Sequence, residues 1–545
     1  MTLPDRAASP QLSASDPSSG DGFLSARELG FLILTILFWA GFVIVLGKDT
    51  SWDFRNYHWY APYAFLNHRQ ALDVAVAHQA SYYNPFLDIP FYLLASHTHA
   101  WIALGVLGAV QGANVVPLYL IAREGLRTPD AKLGAGALAL LGQTGALTLS
   151  MFGSTYYDNV MSLFVLSGLA ILIVNRERLR SGPPAQAAAL AAAAGFITGS
   201  AFGLKLPEMP YCIGFAAALA ALGGNLRQQG VRMLSGGAAG VLGFALFSAW
   251  WMLHIKALTG NPVFPYFNDY WRSPLVLPSP YRDMRFIPTH FWRALLFPFL
   301  FSADWHVADD LGFQDIRVLV AYLTMIPAIL IWAFRRECKD ALMDRGVALI
   351  LFAFAAVSYF VWLRFFAIYR YIILLEMLAP VLIVAAVGLY PWPRRTRYLT
   401  LAGLAFAILV TARSDFLERA PVEDPYIKVA LPPIPHPGRT MVLLTGDAPM
   451  GFIVPSLPHQ IPILRIDGWM VQPKDGTQIT KDMRARVAGH LHDGGLLYLM
   501  SAANEMGRAR DALADYGLAI RWTECQQFDT NIVGTYEWCP IMRRS

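Results

Sequence analysis

The chain has 545 residues, of which 55% are hydrophobic and only 15% charged, with a formal net charge of +5. Soluble domains carry roughly 25% charged residues, and this apolar excess comes in blocks of about twenty, enough to cross a ~30 Å hydrocarbon core as a helix. A soluble fold is excluded. The positive balance does not point to nucleic acid, because Lys and Arg are spread along the chain and cluster in short loops between the apolar blocks.

Residues 1–27, rich in Ser, Pro, Ala and Asp, read as a disordered cytoplasmic tail. Spans are expected near 28–47, 101–122, 132–150, 160–175, 184–203, 209–224, 233–254, 316–334, 346–363, 371–390 and 398–412. With the N-terminus inside, every second loop collects cations, as short cytoplasmic loops do. These are Arg123, Arg127 and Lys132; Arg176, Arg178 and Arg180; Arg227 and Arg232; Arg335, Arg336, Lys339 and Arg345; and Arg394, Arg395 and Arg397. The opposite side then receives loops 48–100 and 255–315, the turns around 151–159, 203–210 and 364–370, and everything after about 413. The reading is a polytopic α-helical protein of a bacterial-type inner (plasma) membrane, its transmembrane domain spanning 28–412.

Past a linker at 413–438 that includes LPPIPHPG, the pattern changes. MVLLTGD and LLYLMSA read as buried strands, and ITKDMRARVAGHLHDGG and ANEMGRARDALADYG as amphipathic helices. Residues 439–545 are therefore expected to form an extracytoplasmic α/β domain. Of the four cysteines, Cys525 and Cys539 lie in this region and are positioned to form a disulfide in an oxidising compartment. Gly236-x-x-x-Gly240 reads as close helix packing.

The outer segments hold the candidate chemistry. Asp53, in SWDFRNYHWY just past the first span, stands among aromatics that lower the local dielectric, which suits a general base. Trp52, Tyr57, Trp59 and Tyr60 themselves read mainly as an interfacial belt. Asp49 is the alternative acid. Asp158, in STYYDNVM, is either a second functional acid or a helix cap, and Asp88 reads as structural. Lys205, Arg364 and Arg370 run against the charge rule. They suit a lipid-linked phosphate, although snorkelling to headgroups also accounts for them. Arg282 and His290, in the long loop with Arg272 and Arg285, suit a lid or sugar-binding surface, with His58 and Tyr57 as further acceptor- or sugar-binding candidates. His306, Asp309 and Asp310 could ligate a metal but lack helical ligand spacing, so no cofactor is assigned and a divalent metal stays open. No P-loop, G-x-S-x-G or H-E-x-x-H motif occurs.

The layout resembles the GT-C superfamily of membrane glycosyltransferases, most specifically in FRNYHWYAPYAF and YYNPFLDIPFYLL, which look like that family's first outer loop and juxtamembrane helices. The resemblance implies transfer of a sugar from a polyprenyl-phosphate donor to a glycan or lipid acceptor outside the membrane. It implies Asp53 as base, Asp158 as second acid, and Lys205, Arg364 and Arg370 as phosphate holders. Two departures stand out: the first loop has no D-x-D or E-x-D pair, and Trp250-Trp251 is followed by Met252 rather than by Asp. The rival expectations are a transporter or flippase of lipid-linked saccharides and an inactive binding subunit with the same fold. A transporter would place ionisable groups near the midplane and show inverted repeats.

Overall fold

The computed structural model describes residues 24–334 and 340–544. Residues 1–23 of the expected tail, and Arg335, Arg336 and Lys339 of one basic loop, lie outside the described residues. A helix occupies each of the eleven apolar segments. Among the described residues, seven are long and apolar enough to cross a membrane: Ala26–Leu46, Ala100–Gly125, Pro184–Leu204, Leu226–Thr259, Arg317–Phe334, Arg345–Phe365 and Tyr369–Gly388. Asp158–Val174 and Leu206–Ala221 are apolar but shorter. The expected span 132–150 is broken into Ala131–Gln143 and Ala146–Ser150, and Arg394–Thr411 begins with a charged turn.

The broken helix has a clear physical basis. A backbone gap inside a bundle leaves polar groups that must find partners. Here Arg317 donates to the carbonyls of Leu141 (2.7 Å) and Thr144 (2.8 Å) on one side of the gap. On the other side, Asp315 accepts from the Ala146 amide (3.0 Å), and Glu376 accepts from the Leu147 and Thr148 amides (3.1 and 3.2 Å). Asp315 and Arg317 also pair with each other at 2.8 Å, fully buried.

We label the helices that build the site: α1 (Ala26–Leu46), α2 (Asp158–Val174), α3 (Pro184–Leu204), α4 (Leu226–Thr259) and α5 (Arg345–Phe365). Helix α1 opens on a capping box in which Ser25 and Glu28 satisfy each other's backbone amides. The Glu28 carboxylate then meets Tyr119 (2.6 Å), Arg123 (3.2 Å) and Lys132 (3.0 Å), so three helix ends are tied together at one end of the bundle. Arg127 and Arg176 meet Asp344 at the same end. Helices α3 and α4 touch backbone to backbone: a Cβ on Gly199 would stand 2.0 Å from the Gly240 carbonyl oxygen. The Gly236/Gly240 pair is a packing seam, as its spacing predicts.

At 34 residues, α4 is about 51 Å long at ~1.5 Å per residue, well beyond a bilayer core. Its far end carries Trp251 and Ile255 into a core shared with Leu443, Leu464 and Val487 of the C-terminal region. That region is a six-stranded mixed sheet: β1 (Thr440–Leu444), β2 (Ile463–Arg465), β3 (Leu496–Ala502), β4 (Leu518–Ile520), β5 (Gln526–Asp529) and β6 (Thr535–Arg543), in the order β2-β1-β3-β6-β4 with β5 paired to β6. Strands β1, β2 and β3 are parallel, and β6 is antiparallel to β3, β4 and β5. Helices Gln478–His492 and Met506–Asp515 lie where the sequence places them. Cys525 and Cys539 are joined by a disulfide.

The first outer loop is built into this sheet. Val74 pairs in parallel with Leu464, extending the β2 edge. Arg69 binds Asp73 (2.6 Å) and reaches the Ile461 carbonyl (2.7 Å), while Arg465 reaches the Val76 carbonyl (3.0 Å). The loop after α1 is thus clamped between bundle and sheet.

Candidate functional site

Asp53 follows α1 by seven residues, at the start of a widened π-helical turn over Phe54–His58. Such turns break the regular ladder and recur at functional sites. The turn presents Asp53 to one side, with its side chain 21% exposed, while Phe54, Asn56 and His58 are buried. Arg370 Nη1 comes within 3.5 Å of Asp53 Oδ2, and Tyr57 Oη donates to that oxygen at 3.4 Å.

Arg370 comes from the turn after α5. Its backbone amide donates to Asp309 Oδ2 at 2.7 Å, which holds the turn in place. Its guanidinium lies over the Tyr156 ring at 4.0 Å and near Tyr371 at 5.4 Å, a cation–π setting that keeps the charge without consuming its donors. Arg370 Nε stands 3.8 Å from Asp158 Oδ2, and among the described residues neither atom has a hydrogen-bond partner. Asp158, the first residue of α2, is buried with its side chain 3% exposed and forms a short ion pair with Lys205, the residue that ends α3. Lys205 Nζ also donates to the Tyr156 carbonyl at 2.8 Å and lies 5.6 Å from the Tyr371 ring.

Asp53, Asp158, Lys205 and Arg370 therefore converge from four separate connections at one end of the bundle, opposite the Glu28 end. Tyrosines close the sides. Tyr83 and Tyr266 stack with centroids 5.7 Å apart. Burial, then the Asp53 carboxylate, hold the Tyr57 and Tyr156 phenols well above their ordinary range, so both remain neutral donors. Burial also pushes Tyr266 up to about 12. Asp309, fully enclosed, is raised by burial to about 6 against the opposing pull of Arg370.

The other expected residues are placed differently. Asp49 is completely buried, accepting from the amides of Ser51 (2.8 Å) and Thr155 (2.7 Å) and from the Thr155 hydroxyl (2.8 Å). It ties the first outer loop to the turn before α2. His58 turns inward to Asp88, Nδ1 to Oδ1 2.6 Å, and burial raises the Asp88 pKa while His58 opposes it. Arg364 lies exposed on the last turn of α5, and no described contact joins it to the cluster. Arg282 packs over Phe267 at 5.9 Å, and His290 is exposed ahead of a short helix at Phe291–Leu295. His306, Asp309 and Asp310 do not converge on one point. His306 pairs with Asp304, Asp310 with Arg285, and Asp309 with backbone amides. Among the described residues, no group of three His, Cys, Asp or Glu side chains is arranged to hold a metal ion. Tyr83, Tyr156, Tyr266 and Tyr371 are site-lining residues that the sequence reading does not single out.

Fold and site together define a multi-span helical membrane protein with a C-terminal mixed β-sheet domain. No family model, curated protein or solved structure matches the chain.

Proposed function

We propose that the chain is a membrane glycosyltransferase of GT-C type. It takes a sugar from a polyprenyl-phosphate donor and passes it to a hydroxyl of a glycan or lipid acceptor on the outer side of a plasma membrane. In this reading all eleven helical segments cross the bilayer. The Glu28 end, with Arg123, Arg127 and Arg176, is cytoplasmic, and the site end and sheet domain are extracytoplasmic. The Cys525–Cys539 disulfide is in keeping with an oxidising compartment.

The observation that carries the proposal is the meeting of a partly open carboxylate, Asp53, with a guanidinium that has unspent donors, Arg370, at a bundle end walled by tyrosines. Asp53 takes the proton of the acceptor hydroxyl as its oxygen bonds to the anomeric carbon. The bond from that carbon to the phosphate oxygen breaks, and the polyprenyl phosphate leaves with the electron pair. Arg370 and Lys205 stabilise the growing phosphate charge, and the stereochemistry inverts. Asp158 positions both cations. Breaking the Lys205–Asp158 pair in favour of the lipid phosphate is the step that binding has to drive.

A transporter of lipid-linked saccharides would draw on buried charges within the bundle. Asp315, Arg317 and Glu376 are such charges, but their hydrogen bonds go to the backbone gap between Gln143 and Ala146, which favours the enzyme.

The test is reconstitution of the full chain in liposomes with polyprenyl-phosphate hexoses and pentoses and a cell-envelope extract as acceptor. Release of polyprenyl phosphate, abolished by Asp53→Asn, is the expected result. Full turnover in that variant would remove Asp53 as base, and sugar-independent lipid translocation would replace the transferase with the transporter.

A further inference from the structure

The sheet domain has its own chemistry, apart from the Asp53 cluster. The chain leaves β1 for β2 on one side, then crosses back to β3 on the other, so β1 and β3 flank a topological switch point. In α/β sheets, the crevice outside the carboxyl ends of such strands is where ligands bind. Here those ends carry Asp447 after β1, Asp467 and Trp469 after β2, and Glu505 and Arg508 after β3. Arg508 bridges Asp447 and Asp467, each at 2.6 Å, while Glu505 accepts from the amides of Asp447 (3.0 Å) and Ala448 (3.1 Å). Asp447 Oδ1, itself turned away from solvent, has no partner among the described residues, while both Asp447 and Arg508 are exposed over other parts of their side chains.

The first outer loop completes this crevice. His78, fully buried and in the left-handed region at φ 52°, is nearly parallel to Trp469 (5.1 Å) and Trp52 (6.3 Å). Gly468 makes the approach possible, since a Cβ there would stand 2.5 Å from His78 Cε1. Among the described residues neither ring nitrogen of His78 completes a well-aligned hydrogen bond, with the Asp447 backbone beside the ring. Both tryptophans keep over a third of their surface exposed, 37% for Trp52 and 40% for Trp469. Buried tryptophan is ordinary; here two indoles with open surface each pack against a buried imidazole near an Asp–Arg pair.

We propose that this crevice is a carbohydrate subsite, with Trp469 and Trp52 stacking on the apolar faces of neutral sugar rings and Asp447 and Arg508 bonding their hydroxyls. The charge balance favours a neutral ligand: three carboxylates, Asp447, Asp467 and Glu505, stand against two guanidiniums, Arg465 and Arg508. A phosphate or nucleotide would be repelled. Trp52 immediately precedes Asp53, so the crevice and the carboxylate proposed as base share the first outer loop. The subsite holds the acceptor, and in that sense rests on the transferase reading.

The experiment uses the full chain in nanodiscs, free of sugar-based detergent, with neutral α- and β-linked hexose tetrasaccharides as probes. Saturation-transfer NMR and tryptophan fluorescence report binding. Wild type and Asp53→Asn are expected to bind alike, with Trp469→Ala and Asp447→Asn weakened at least tenfold while circular dichroism and melting confirm their folding. The subsite is overturned if no tetrasaccharide binds wild type, or if both variants bind as wild type does. The two readings fail separately. Saccharide binding without any sugar transfer removes the transferase and leaves the subsite, whereas transfer with an unchanged acceptor KM in both Trp469→Ala and Asp447→Asn removes the subsite alone.

Discussion

Asparagine at position 49 and asparagine at position 53 are predicted to fail in opposite ways. Asp49 spends its carboxylate on three donors at 2.7–2.8 Å, from Ser51 and Thr155, with no exposure to water. An amide in its place must turn its NH2 group towards at least one of those N–H groups. One charge-assisted hydrogen bond is lost, at about 1.5–3 kcal/mol, and the bond lost is one that joins the first outer loop to the turn before α2 or shapes the loop itself. Among the described residues Asp53 has two partners, at 3.4 and 3.5 Å, and is partly solvated, so Asp53→Asn costs at most about 1 kcal/mol of stability. Its cost falls on turnover, at about 10²–10⁴-fold for a lost general base. Thermal unfolding of the two variants in nanodiscs, set beside polyprenyl-phosphate release, reads both quantities. Equal loss of melting temperature in the two, or Asp49→Asn folded and inactive beside an active Asp53→Asn, would refute the assignment.

Arg370→Ala and Lys205→Ala are predicted to weaken binding of polyprenyl phosphate at least tenfold, whereas Arg364→Ala, exposed on the last turn of α5, should leave it within about twofold by the usual small effect of surface changes. Isothermal titration with the lipid phosphate decides this, and an equal loss in all three would return Arg364 to the site. Asp309 should make the structure pH-sensitive. Its folded pKa of about 6 lies above the ordinary carboxyl value, so its contribution is fully present below about pH 4 and is lost as pH rises through 6. The Asp309→Asn variant should therefore melt with a flatter pH dependence between pH 4 and 6 than wild type, and parallel profiles would show that Asp309 does not titrate there. Serine at Cys525 or Cys539 opens a loop closed across 14 residues and should cost the sheet domain about 3 kcal/mol by loop entropy. Limited proteolysis after β4 is the readout, and unchanged cleavage would argue against it.

Much of this architecture can be read from local pattern. Apolar blocks of bilayer length became helices because a helix satisfies its own backbone in an apolar medium, a property each segment carries by itself. The strands at 440–444 and 496–502 and the helices after them were likewise visible in their periodicity, and the glycine spacing at 236 and 240 announced a close helix contact. The break between Gln143 and Ala146 was not visible, because it is stabilised by Asp315, Arg317 and Glu376 from distant segments.

The site divides along the same line. Sequence alone determined that a set of acids and cations stands in the connections on one side of the bundle, since charge placement and apolar length are local properties. Only the tertiary structure decided among them. It buried Asp49 in hydrogen bonds and left Asp53 open, and it turned Arg370 inward while Arg364 stayed outside. It also set Trp52 and His78 against Trp469 across the domain boundary. The Arg370–Asp53 contact joins residues 317 positions apart, and a contact of that range is set by how helices pack, which no stretch of either neighbourhood encodes.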